Sequence, residues 1–229
     1  MVTVKVNWSG GKDSTCATLL HLEAGHKVKV VSYIPMFTDE IPLILKDHYE
    51  FIINTAYEFE RMGAEVHIVH GMTYWDFVTH TNIKGKNKGR IRGFACIGRG
   101  MCDFKRDSKV KALNTVDIGE YDYTDIGIAY DETSRHGQLT ESLRSILVEK
   151  EVTEPQARER CEIEGFLSPQ YILGKRDGCV LCVNAKEWER EQWFKDYPQA
   201  REKVIELQNI VKEQRPDRPP LRGYKYFIE

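Results

Sequence analysis

The chain lacks any apolar run approaching the roughly 18–20 residues that cross a bilayer, so neither a helical span nor a membrane partner is expected. It also lacks the apolar core of a signal peptide, because the N-terminus runs directly into alternating apolar and polar residues. The expected location is the cytoplasm. Neither sign of charge dominates. With 33 Lys and Arg against 35 Asp and Glu, the formal net charge is −2, which argues against a generic polyanion binder and leaves room only for a local basic patch. Cysteine is sparse, at positions 16, 96, 102, 161, 179 and 182, and in a reducing compartment no disulfide framework is expected. Internal repeats and low-complexity tracts are absent as well. What remains is an ordinary globular mixture, 41% apolar and 30% charged over 229 residues, enough for one sizeable core or a domain with a small appendage.

The order of periodic segments points to an α/β fold. Residues 2–8 alternate as a strand, Thr15–Ala24 is apolar-rich and helical up to Gly25, and His26–Pro35 is a valine-rich second strand. Residues 43–62 repeat apolar side chains at helical spacing, with Leu45, Tyr49, Ile52, Ala56 and Phe59 on one face, and Glu65–His70 is a third strand. Asp103–Asn114 reads as a helix, Thr124–Tyr130 as a fourth strand and Leu143–Val148 as a short fifth. Strand–helix alternation of this kind implies a mostly parallel open sheet with flanking helices. After residue 150 the pattern turns helical. Thr153 to Gln156 is a capping box opening a helix that stops at Gly165, a second helix starts near Asn184, and a break falls at Pro198. The expected division is an α/β domain over 1–150 and a helical, cysteine-bearing extension over 151–229, with Arg215–Glu229 lying along the surface.

Between the first strand and first helix stands Ser9-Gly10-Gly11-Lys12-Asp13-Ser14. Glycines allow a tight turn that brings backbone N–H groups toward an anion, and a helix N-terminus adds unsatisfied N–H groups and a positive dipole end. Ser9 and Ser14 add hydroxyl donors and Lys12 a full charge. A ligand-free strand–helix turn is the alternative. The Walker pattern is excluded, because Val6 stands where it needs its first glycine and Asp13 follows the lysine.

Ser-Gly-Gly-Lys-Asp-Ser resembles the signature of the PP-loop, or adenine nucleotide α-hydrolase-like, superfamily. The resemblance implies a Rossmann-like sheet that binds ATP or a sulfonucleotide, with Mg²⁺ and, in many members, attack at the α-phosphate that releases pyrophosphate. Phe37-Thr38-Asp39-Glu40-Ile41, Cys102 followed by Lys109-Val110-Lys111, and Ile126 through Asp131-Glu132-Thr133-Ser134-Arg135 are similar to the phosphoadenosine phosphosulfate reductase-like branch, as are Cys161, Gly165–Pro169 and Gly178–Cys182. On this resemblance Ser9–Ser14, Ser32 and Lys109 contact the nucleotide, and Lys12, Asp13, Asp39 and Arg135 serve the reaction. The branch's C-terminal Glu-Cys-Gly-(Leu/Ile)-His segment is missing, since no cysteine follows Cys182. The leading expectation is therefore adenylation of an unidentified acceptor, with sulfur transfer as one purpose it would serve. A sulfonucleotide reductase using Cys179 or Cys182 and a non-catalytic nucleotide-sequestering module are the alternatives.

Cys179-x-x-Cys182 with Cys161 and Cys102 offers four thiolates to zinc or to a 4Fe–4S cluster, with Cys96 as a substitute for Cys102. A redox-active pair and plain buried thiols are the other readings, and Cys16 is expected in the core. Asp39 and Glu40 read either as Mg²⁺ or substrate ligands or as an acidic cap before Pro42. Arg135 reads as an anion contact or a surface ion pair. The basic loop Lys84–Arg92 reads as a holder of nucleic-acid backbone or of a second nucleotide's phosphates, or as a solvated loop. His67, His70 and His80 lack ligand-like spacing and read as structural. The charged C-terminal helices with Trp188 and Trp193 read as a packing surface or a homo-oligomer surface.

Overall fold

A computed structural model of the protein describes residues 2–95, 97–98, 101–174, 178–182 and 184–217. In chain order the elements are β1 (Thr3–Trp8), α1 (Lys12–Glu23), β2 (Lys27–Tyr33), α2 (Lys46–Arg61), β3 (Glu65–Val69) and α3 (Tyr74–Thr79). Next come the short strands β4 (Ile97–Gly98) and β5 (Met101–Cys102), a π-helical stretch (Lys105–Val110) running into α4 (Lys111–Thr115), β6 (Tyr123–Ile126) and a 3₁₀ turn (Thr133–Gln138). The remainder is β7 (Leu143–Arg144), α5 (Ile146–Glu149), α6 (Glu154–Ile163), α7 (Pro169–Ile172), α8 (Glu187–Asp196) and α9 (Pro198–Gln214).

These elements form two compact units, each assembled from separate stretches of chain. The first comprises Met1–Tyr33, Asp47–Val69 and Val116–Asp177, and the second Ile34–Lys46, His70–Thr115 and Gly178–Glu229. Residues 151–177 thus group with the sheet, so a division at residue 150 coincides with neither unit.

The first unit holds a five-stranded, all-parallel sheet in the order β3-β2-β1-β6-β7. Burial on both faces explains the unbroken valines of the inner strands: Val4, Val6, Val30 and Val31 are fully buried. Helix α1 is covered almost all round, from Ser14 to His21. Its Cys16, Ala17 and Leu20 pack with Ile146, Leu147, Ala157, Cys161 and Leu167. Trp8 meets Phe59 of α2 edge-on, at 5.2 Å between ring centroids, and donates its indole N–H to Thr15 Oγ1 at 2.9 Å. The chain order reverses beside β1, because β2 and β3 build one side and β6 and β7 the other. Open parallel sheets bind ligands at such a reversal, beyond the C-terminal ends of the strands.

The second unit is built on aromatics. Phe37 packs edge-on to Trp193 at 5.5 Å, and Phe104 stands against Tyr74 and Phe77 at 5.1 and 5.4 Å. Val204, Leu207 and Val211 of α9 complete this core, and Trp193 donates its N–H to the Pro42 carbonyl at 2.8 Å. Of the two tryptophans read as part of a packing or homo-oligomer surface, Trp193 packs inside this core, while Trp188 is exposed.

Several segments depart from the sequence reading. Helix α1 begins at Lys12 instead of Thr15, because Gly11 adopts the extended N-cap conformation (φ −78°, ψ 155°). The expected fifth strand lasts two residues. The buried Asp125 carboxylate accepts the Ile146 N–H at 2.7 Å and Ser145 donates to the Ile128 carbonyl, turning the apolar run Ile146–Val148 into helix. A short apolar run does not distinguish the two by periodicity. Helix α3 was not anticipated, and Thr73 caps it by accepting the Asp76 N–H at 3.0 Å. Arg215 is buried and not superficial, and residues 218–229 of the expected tail lie outside the described residues, as does Cys96. Among the described residues, no helix is long and apolar enough to cross a membrane.

Candidate functional site

Strand β1 ends at Trp8 in the centre of the sheet, and the chain must turn there into α1. Gly10 makes the turn with φ +77°, and a Cβ on it would lie 2.9 Å from His48 Cε1. The loop is held by its own serines. The Ser9 N–H donates to Ser14 Oγ at 3.1 Å, the Gly11 N–H donates to Ser9 Oγ at 3.3 Å, and Ser14 Oγ donates to the Gly11 carbonyl at 3.1 Å. The first intrahelical bond runs from the Thr15 N–H to the Gly11 carbonyl. The amides of Lys12, Asp13 and Ser14 therefore precede the helix ladder, as the opening amides of any helix do.

The surroundings of these amides come from distant sequence. Gly127, just past β6, approaches so closely that a Cβ there would lie 2.5 Å from the Ser14 nitrogen. The Tyr171 hydroxyl accepts the Lys12 N–H at 3.2 Å, and the Lys12 ammonium lies 5.9 Å from the Tyr171 ring centroid. The same ammonium is clasped by Asp13 at 2.8 Å and Glu154 at 2.7 Å. His48, buried beneath Gly10, shares a hydrogen bond with Ser168 Oγ at 3.3 Å.

Burial and pairing together set the protonation states. Burial alone would lower the Lys12 pKa, but the Asp13 and Glu154 carboxylates outweigh it and raise the group above its ordinary 10.5. Burial pushes the Asp13 carboxyl up, and the Lys12 ammonium offsets only part of that rise. Burial opposes ionisation of Glu132 too, yet Arg135 and the Ala129 N–H hold its carboxyl below the usual range.

Ser9, Gly10, Gly11, Lys12, Asp13 and Ser14 thus form one constellation. Ser32, in register with Trp8 on the neighbouring strand, is fully buried, and its hydroxyl has no partner among the described residues. Arg135 is also in this unit, on the 3₁₀ turn, with its guanidinium nitrogen 2.8 Å from Glu132. Asp131 accepts the Glu154 N–H at 2.9 Å and so fixes the start of α6. Asp39, Glu40 and Lys109 belong to the second unit. Asp39 and Glu40 are exposed in a tight loop closed by the Phe37 N–H on the Ile41 carbonyl at 2.7 Å. They cap no helix, because α2 starts only at Lys46.

The four expected metal cysteines are divided. Cys161 is sealed in the first unit, its thiol donating to the Lys12 carbonyl at 3.2 Å, and burial pushes that thiol up to about 12. Cys16 beside it is pushed to about 11. Cys102, Cys179 and Cys182 lie in the second unit, where burial also raises Cys102. Among the described residues, no group of three or more His, Cys, Asp or Glu side chains is placed to hold a metal ion. The Asp13 carboxylate is an oxygen donor suited to Mg²⁺, which takes one or two carboxylates and fills its shell with phosphate oxygens and water. His67 and His70 hydrogen-bond Glu65 and the Ile34 carbonyl in structural roles.

Gly127, Glu154, Tyr171 and His48 escaped the sequence reading as site residues. Glu154 carried only a helix-start signal, and α7, with four residues, is too short to show a period. No family model matches the chain, and no curated protein matches it.

Proposed function

We propose that the chain binds an adenine nucleotide, ATP in the first instance, at the Ser9–Ser14 loop and cleaves its α–β phosphate bond to adenylate an acceptor. The observation that supports this reading is the placement of the loop. It stands at the C-terminal end of the central strand, where the sheet order reverses, and opens a well-covered helix. In the reaction the acceptor's nucleophile attacks the α-phosphorus, the bond to the bridging oxygen breaks, and pyrophosphate leaves with the electron pair. Ser9 and Ser14 hydroxyls and the Asp13 and Ser14 amides hold phosphate oxygens, and Lys12 balances their charge by moving from Glu154 to the ligand. Asp13 would hold Mg²⁺, which offsets the charge gathering on the leaving pyrophosphate. Arg135 would meet a phosphate through Nε and Nη2, because Glu132 engages its Nη1.

The test begins with ligand-dependent unfolding. ATP with Mg²⁺ at about 100 times its Kd stabilises a single-site binder by about 2.7 kcal/mol. Wild type is expected to show this shift and to release pyrophosphate once acceptor is supplied, and Lys12→Ala and Asp13→Ala to lose both. An absent shift with every adenine nucleotide tried overturns the reading.

A further inference from the structure

Between Asp76 and Asp103 the sequence contains no carboxylate, yet it carries Lys84, Lys86, Lys88, Arg90, Arg92 and Arg99 in a chain whose net charge is −2. The structure gives most of this segment a defined shape. Thr81 and Ile91 form an antiparallel bridge, and the Arg92 N–H donates to the His80 carbonyl at 2.9 Å. Further up, the Asn82 N–H donates to the Arg90 carbonyl at 2.9 Å, and the Gly89 N–H returns to the Asn82 carbonyl at 2.8 Å. Gly85 and Gly89, both at φ +78°, make the tip turns that other residues rarely adopt. The base is anchored from α9's end: the buried Arg215 guanidinium donates to the Ile91 carbonyl at 2.7 Å and the Arg92 carbonyl at 3.1 Å.

The cations divide by direction. Arg92 turns inward, paired with Asp107 and lying over the Phe77 ring at 4.9 Å. Lys84, Lys86, Lys88 and Arg90 are exposed. Among the described residues no carboxylate pairs with any of the three lysines, and Arg90 meets only Asp217 at 3.8 Å. A scaffold that fixes a backbone with a buried arginine and then leaves its charges bare is pre-organised for an external polyanion, because little ordering entropy remains to be lost on docking.

We infer that this hairpin is a docking surface for the phosphodiester backbone of double-stranded nucleic acid. The segment is a loop closed by one antiparallel bridge, and its tip lacks the aromatic side chains on which unpaired bases stack, which leaves the duplex backbone as the feature its cations meet. Lys84, Lys86, Lys88 and Arg90 recur at every second position along the loop, and all four are exposed. Ile83, 72% exposed, is the single large apolar side chain at the tip, too little for insertion into a lipid surface. Recognition is by backbone charge and is independent of base sequence. This inference stands on the second unit alone and does not depend on the nucleotide reading.

The experiment titrates the full chain into short fluorescent RNA and DNA duplexes of mixed sequence and follows anisotropy against salt. Four phosphate contacts give a log–log slope of about −3.6 on B-DNA, hence a loss of affinity of about 100-fold between about 50 and about 200 mM salt. The variant Lys84→Ala/Lys86→Ala/Lys88→Ala/Arg90→Ala is expected to lose the slope and the binding while unfolding at the wild-type temperature. Lys84→Arg/Lys86→Arg/Lys88→Arg is expected to retain both, and so is Lys12→Ala. A preference between the RNA and DNA arms identifies the polymer. Absence of binding at low salt, an unchanged slope in the alanine variant, or tighter binding to phosphatidylserine vesicles than to either duplex each overturns the inference.

Discussion

Two groups of cations in the protein stand in contrasting settings. At the Ser9–Ser14 loop every cation is already answered: Lys12 by Asp13 and Glu154, Arg135 by Glu132. On the hairpin, Lys84, Lys86 and Lys88 are bare among the described residues. The first arrangement suits a small ligand that must displace built-in carboxylates and is admitted by shape. The second suits a large polyanion that is attracted from a distance and tolerated in many registers. The two sites are therefore expected to respond independently to mutation.

The sharpest break of this comparison is Gly127→Ala. The added methyl would lie 2.5 Å from the Ser14 nitrogen, against backbone that has no rotamer to yield. The start of α1 must shift, at a cost of about 1–3 kcal/mol in stability. Moving the opening amides costs at least one hydrogen bond to a charged phosphate oxygen, about 1.5–3 kcal/mol, hence about 10-fold or more in ATP affinity. Calorimetric titration with ATP and Mg²⁺ should show that loss, and duplex binding in the same preparation should be unchanged. Equal losses in both would mean that the substitution damages the whole fold and not the loop.

How much of this was legible beforehand differs between the two regions for a physical reason. The strand–glycine–helix junction is local, so its residues stand next to one another and announce themselves. The residues that tune it arrive from elsewhere. Gly127 follows a different strand, Glu154 opens a helix 142 positions from Lys12, and Tyr171 is 159 positions away. Their sequence signals concern only their own backbone. The parallel sheet was readable because valine-rich strands alternate with amphipathic helices, although the fifth strand shrank to two residues once Asp125 captured the Ile146 amide. The four-cysteine set was legible only as spacing, and the structure places Cys161 in the core beneath Lys12 and the other three in the second unit. In the hairpin the lysines were plain in sequence. Its anchor was hidden, because Arg215 lies 124 positions from the carbonyl it holds.

The floor of the loop supplies a second contrast, this time in pH. Cys16 and Cys161 titrate at about 11 and about 12 in the folded chain, against an ordinary 9.0. Their folded-state values are raised, so the unfolded chain releases these protons first. Stability is unaffected below pH about 9 and falls as pH climbs through the window between the unfolded and folded values. The expected loss is about 1 kcal/mol per thiol from pH about 9 to pH about 10. Urea unfolding of wild type beside Cys16→Ala/Cys161→Ala isolates it: the double variant starts less stable but declines less steeply with pH. Parallel declines would mean that the thiols titrate normally.

The smallest effect probes the clasp itself. Glu154 has a side chain 46% exposed, so its pair with Lys12 is partly screened, and such pairs contribute about 0.2–1 kcal/mol. Glu154→Gln keeps the size of the side chain and removes its charge. The helix start is preserved, because Asp131 accepts the Glu154 backbone N–H and not its side chain. Lys12 then faces one competing carboxylate instead of two when a phosphate approaches, and ATP affinity should rise by up to about 5-fold. The salt slope of duplex binding should stay at its wild-type value, because the hairpin's lysines are unaffected. Weaker ATP binding would reverse the assignment: Glu154 would then act on the ligand side, holding Lys12 in a conformation the phosphates need rather than competing with them for it.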